Sequence, residues 1–146
     1  MVPTKPESCF TTLLVSPRSI EQRYHTNARF SGTVLAEARK ARERITRKSA
    51  CAVMIIVPPE IPVDASSSNE DHFRQESERR SIIALAVVAE NQAMYSTTQF
   101  YFRYYPQSFE AKVFTDEKAA RTWLNEKLEI AIRSGIAVAS APRKHQ

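Results

Sequence analysis

Few side chains in this 146-residue chain have both the type and the spacing that chemistry requires. The histidines His25, His72 and His145 are far apart, and none belongs to an H-x-x-x-H or C-x-x-C pattern that would hold a metal. Four carboxylates, Glu70, Asp71, Glu76 and Glu78, gather in one segment, where paired acids can do general acid/base work. Arginines interleave with them, however, so the segment reads as a charged helix, with His72 facing solvent. Cys51 lies in an apolar run without a neighbouring base, which argues against a nucleophile. With only two glycines, Gly32 and Gly135, the chain has no dinucleotide fingerprint, no phosphate-binding loop and no nucleophile elbow. No catalytic residue, metal or cofactor is therefore expected, and the protein reads as non-enzymatic.

The basic residues offer a different chemistry. Net charge is +5, and Arg39, Arg42, Arg44 and Arg47 lie close together with Lys40 and Lys48. They form a candidate patch for an anionic partner. The competing reading is the solvated face of an amphipathic helix, and it is preferred, so nucleic acid is a disfavoured partner.

The frame that positions these residues follows from length and pattern. A chain of this size forms one domain and buries roughly 70% of its unfolded surface. Apolar runs of eight residues at most are too short to span a bilayer, and the amino terminus lacks the apolar segment of a secretory signal. A cytoplasmic location is the expectation, with no membrane span. Residues 1–9 read as a flexible lead-in, 10–134 as the domain, and 135–146 as a flexible tail. Cys9 falls in the lead-in and Cys51 in a buried strand, so no disulfide is expected between them.

Phe10 to Val15 and Tyr24 to Phe30 are predicted strands, separated by the turn signal S-P-R-S and able to pair as a hairpin. Val34, Leu35, Ala38, Ala41 and Ile45 then fall at helix spacing after a cap at Ser31 or Thr33. The apolar runs Cys51 to Val57 and Ile82 to Val88 have the composition of central parallel strands covered on both faces. Between them, Pro58, Pro59 and Pro62 impose an extended loop. A capping box at Ser67 or Ser68, with Glu70 or Asp71, should open a short helix ending near Arg79.

Asn91 begins a helix in which Tyr95, Phe100, Tyr101, Phe102, Tyr104 and Tyr105 crowd together. Ser96, Gln99 and Arg103 form its narrow polar stripe, which leaves more apolar circumference than packing on a sheet needs. Ala111 to Phe114 reads as the last strand. Thr115 should cap a final helix anchored by Trp123 and closed by Gly135.

The stretch from Ser81 to Leu124 resembles the second half of the bacterial STAS/SpoIIAA-like proteins. Its signature here is Phe114, Asp116, Glu117, Ala120, Trp123 and Leu124. The resemblance covers roughly residues 10 to 130, in pattern rather than residue identity over the first half. It implies an α/β sandwich: a mixed, mostly parallel sheet of four or five strands with about four helices mainly on one face. It also implies a regulatory or protein-interaction role.

In the anti-sigma-factor antagonists of that fold, a D-S-S-G loop at a helix start is phosphorylated. The corresponding residues here are Asp64, Ala65, Ser66 and Ser67, so alanine stands where the modified serine would be, and the glycine is missing. Ser66, Ser67 or Ser68 could still accept phosphate at a helix terminus. A plain helix cap is the preferred reading.

Two functions remain. The preferred one is a non-enzymatic interaction module, pairing with a protein partner or a second copy through Tyr95, Tyr101, Phe102 and Tyr105. The alternative is a module that binds a small apolar or lipid-like ligand with the aromatic helix 92–105, since the related CRAL-TRIO-like lipid binders hold apolar ligands beneath helices. Simple core packing by these aromatics is the bland alternative to both.

Overall fold

The computed structural model describes residues 9–26, 28–60, 67 and 69–135. They form a five-stranded sheet in the order β1-β2-β3-β4-β5, with β1 (Phe10–Ser16) antiparallel to β2 (Ser19–Tyr24). The remaining strands, β3 (Cys51–Val57), β4 (Ile82–Ala89) and β5 (Glu110–Phe114), run parallel to β2. Four helices complete the fold: α1 (Gly32–Thr46), α2 (Arg74–Arg79), α3 (Gln92–Tyr104) and α4 (Glu117–Ser134). This is the α/β class expected from the apolar runs.

Topology decides which face each helix covers. From β2 to β5 every crossover steps one strand in the same direction, and parallel crossovers are right-handed, so α1, α2 and α3 all fall on one face. Val34, Ala38 and Ala41 of α1 accordingly pack with Val53, Ile55, Leu85 and Val87, and Met94, Tyr101 and Phe102 of α3 pack against the same cluster. Among the described residues no strand follows α4, which turns back over the other face. There Ala120 and Leu124 meet Ala52, Met54, Ile56, Ala84, Ala86 and Val88. Both faces of β3 and β4 are thus covered, which explains their unbroken apolar sequence.

Several boundaries differ from the sequence reading. β2 begins at Ser19, directly after the turn, instead of at Tyr24. Its inward positions Ile20, Gln22 and Tyr24 do alternate, but the glutamine hides the period. No capping box opens α2. The helix starts at Arg74 without a side-chain cap, and Asp71 Oδ1 accepts instead from the Phe73 amide at 3.0 Å. Asp116 rather than Thr115 caps α4, accepting from the Ala119 amide at 2.8 Å. Cys9 is buried, not part of a loose lead-in, and its carbonyl accepts from the His25 amide at 2.9 Å.

Of the two candidate caps Ser31 is the one that caps α1, Asn91 at the expected start of α3 is its cap, and Gly135 closes α4 as read, in the left-handed region at φ 80°. Residues 1–8 of the lead-in and 136–146 of the tail lie outside the described residues.

Candidate functional site

The two faces of the sheet are not packed alike. Under α4 the core is closed by small residues, with Ala84, Ala86 and Ala120 nearly inaccessible. α3, by contrast, has no buried residue along its whole length. Beneath it lies a partly open cavity of about 90 Å³, lined almost wholly by apolar atoms. Ile55, Val57 and Val87 form its floor, Phe30 and Leu35 one wall, and Met94, Thr97, Thr98, Tyr101 and Phe102 its roof. For scale, one buried water needs roughly 10–15 Å³, so this space suits a small ring or a short alkyl chain.

The roof is fastened at one end. Tyr101 Oη donates to the Glu70 carbonyl at 2.8 Å and accepts from the His72 amide at 2.8 Å. Burial pushes the Tyr101 phenol well above its ordinary value, more than the His72 amide lowers it, so it stays protonated and able to donate. The His72 and Tyr101 rings stack with centroids 6.3 Å apart, and Phe102 packs on Phe73 at 5.5 Å. His72 is therefore buried beneath the roof, not solvent-exposed as the polar segment suggested.

A buried ion pair holds Arg42 on the pocket wall. Arg42 Nε donates to Glu76 Oε2 at 2.8 Å and Nη2 to Oε1 at 2.6 Å, while Nη1 donates to Gln22 Oε1 at 2.9 Å. The two charged side chains are 2% and 0% exposed. Burial alone would lower the Arg42 pKa, but the charge and hydrogen bonds of Glu76 outweigh it, and the guanidinium is held above its usual value. Its Cζ also lies 4.8 Å from the centroid of the Phe73 ring. A lone buried charge is costly, and this bidentate pairing offsets the cost.

These positions revise the sequence-level sites. Tyr101 and Phe102 meet at the pocket, whereas Tyr95 and Tyr105 are half-buried and are not part of its lining. The exposed aromatics of α3 are instead Phe100 and Tyr104, at 63% and 67%, with rings stacked 6.3 Å apart. Tyr24, Arg42 and His72 are pocket residues that the sequence reading missed as such. The helix spacing of Met94, Thr98 and Tyr101 was the available signal for the roof.

The basic patch is broken up as well. Arg42 is buried, and Arg39 donates to Glu43 and Gln75, which leaves Arg44 and Arg47 as the exposed arginines, beside exposed Lys40 and Lys48. Of the loop serines, Ser67 is buried and lines the pocket, which opposes its modification by a kinase. Asp64, Ser66 and Ser68 lie outside the described residues. Burial pushes the Cys51 thiol up to about 11, which opposes nucleophilic use at neutral pH. Among the described residues no group of three or more His, Cys, Asp or Glu side chains is arranged to hold a metal ion. No helix among them is long and apolar enough to cross a membrane.

The signature near the carboxyl end has a packing role. Phe114 and Trp123 rings meet at 5.6 Å, Ala120 and Leu124 are buried, and Asp116 is the helix cap. These residues seat α4 on the sheet, on the face away from the pocket.

Fold and pocket together define an α/β protein with an apolar cavity beneath one helix. The chain belongs to the family described as Domain of unknown function (DUF7793), whose model matches residues 20–128. That span runs from β2 into α4 and includes every described residue named in the pocket lining. No curated protein and no solved structure matches the chain.

Proposed function

We propose that this protein is a non-enzymatic regulatory module that binds a small, mainly apolar ligand between its sheet and α3. The observation that carries this reading is the cavity of about 90 Å³ under a helix that has no buried residue. Protein interiors ordinarily close such spaces, because unfilled volume forfeits contact energy. Convergence of a few polar groups on an apolar pocket is the usual composition of a small-molecule site. The regulatory part of the reading rests on the STAS/SpoIIAA-like resemblance of residues Phe114 to Leu124 and on the absence of catalytic motifs from the sequence.

A second reading has its own observation. Phe100 and Tyr104 present a stacked aromatic pair to solvent on the outer side of α3, a surface suited to a protein partner or a second copy. The two readings are compatible if α3 reports pocket occupancy to a partner.

Native mass spectrometry of the protein purified from its own host tests both. Extra non-covalent mass on the monomer, lost in Val87→Phe, supports the ligand reading. A bare dimer that dissociates in Phe100→Glu supports the interaction reading and counts against the first.

A further inference from the structure

The pocket surface is mostly apolar, and besides the polar side chains of Ser67, His72, Thr97 and Thr98, β2 and α1 bring Tyr24 and Arg42 to its wall. Tyr24 is 3% exposed, and its Oη has no hydrogen-bond partner among the described residues. Its ring is held by Phe10 at 5.8 Å and Phe30 at 4.8 Å. Buried tyrosine hydroxyls ordinarily find a partner, since an unmade hydrogen bond in a dry site is costly.

The nearby polar groups are already engaged. Arg42 bonds Glu76 and Gln22 through all three of its nitrogens, and Gln22 Nε2 in turn donates to the Ala38 carbonyl at 2.8 Å and to Thr12 Oγ1 at 3.1 Å. Charge is balanced too. Glu76 neutralises Arg42, and His72, elsewhere on the lining, has its Nδ1 3.5 Å from the Glu70 carboxylate. An anionic head group entering here would be desolvated against an Arg42 guanidinium that Glu76 already neutralises, without a cation of its own. A pure hydrocarbon would leave Tyr24 unpaired.

Resting on the reading of this cavity as a ligand site, we propose that the ligand is a small neutral oxygenated molecule. Its hydroxyl or carbonyl group bonds Tyr24 Oη, and its apolar body lies under α3. The polar group fixes orientation, and the apolar body supplies the buried area.

Isothermal titration calorimetry of the full chain with three probes of one ring size tests this: toluene, benzyl alcohol and sodium benzoate. Each is titrated into the wild type and into Tyr24→Phe, which keeps the ring and removes only the hydroxyl. Benzyl alcohol should lose roughly 3- to 10-fold in affinity in Tyr24→Phe, the worth of one neutral hydrogen bond. Toluene should bind both proteins alike, and benzoate should bind the wild type most weakly.

Two results overturn the proposal: benzyl alcohol indifferent to Tyr24→Phe, or benzoate binding the wild type most tightly. Toluene and benzyl alcohol both binding, with benzyl alcohol indifferent to Tyr24→Phe, leaves the ligand pocket standing and removes the inference alone. Failure of all three probes to bind the wild type removes both. The ranking of alcohol over carboxylate in the wild type decides the charge argument even if Tyr24→Phe is destabilised.

Discussion

Arg42 and Glu76 are 34 residues apart in the chain, yet they form a bidentate pair at 2.8 and 2.6 Å with almost no exposure. The pair joins α1 to α2 across the mouth of two parallel crossovers, and Gln22 ties it to β2. It therefore sets how α1 and α2 sit around the pocket that α3 covers.

Removing one partner leaves the other charged and buried. Glu76→Ala should lower stability by about 3–5 kcal/mol. The double variant Arg42→Met with Glu76→Leu should recover most of that loss, because apolar replacement removes both desolvation costs. Urea denaturation of the three proteins measures this, and a double variant no more stable than the single one would refute it.

The roof depends on Tyr101. Tyr101→Phe keeps the ring but leaves the Glu70 carbonyl and the His72 amide without their phenol partner, a loss of about 1–3 kcal/mol. Amide exchange should quicken in α3 while β3 and β4 keep their protection. Uniform acceleration across the sheet would mean that Tyr101 supports the whole fold and not the roof.

Arg80 closes α2 in the left-handed region at φ 55°, where a side chain is strained and glycine is not. Arg80→Gly should therefore stabilise the protein by about 0.5–1 kcal/mol, read as a rise in Tm. A fall in Tm would show that the arginine side chain makes a compensating contribution.

On the opposite face, Arg23 holds the α4 residue Glu117 with bonds of 2.9 and 3.0 Å. Hydrogen bonding to Arg23 is the main reason that the Glu117 carboxyl titrates below its ordinary value. A carboxyl lowered by folding stabilises fully above its unfolded pKa of about 4.3 and loses that contribution as pH falls through the folded value. Tm should fall on acidification below about pH 4.3, and Glu117→Gln should flatten that part of the curve. An unchanged acid limb in the variant would assign it to other carboxylates.

The strands were readable wherever burial is two-sided, since β3 and β4 are unbroken apolar runs. β2 was displaced because Gln22, a buried polar residue, occupies an inward position that the alternation needs. The pocket was hidden for a related reason. Its defining groups, Tyr24, Arg42 and His72, come from β2, α1 and the turn before α2, and only the fold brings them together. Arg42 and Glu76 looked like members of two surface charge clusters, because a buried ion pair leaves no local sequence pattern. The aromatic content of α3 was plain, but periodicity alone did not say that Tyr101 and Phe102 point to the cavity while Phe100 and Tyr104 face water.

The central claim is that the space under α3 holds a ligand. Methyl-selective NMR of the protein titrated with benzyl alcohol tests it most directly, since both sheet faces carry methyl groups. Saturable shifts are expected at Leu35, Ile55, Val57, Val87 and Met94, with Met54 and Leu124 on the α4 face unmoved. Shifts that never saturate, or that centre on Met54 and Leu124, would contradict it.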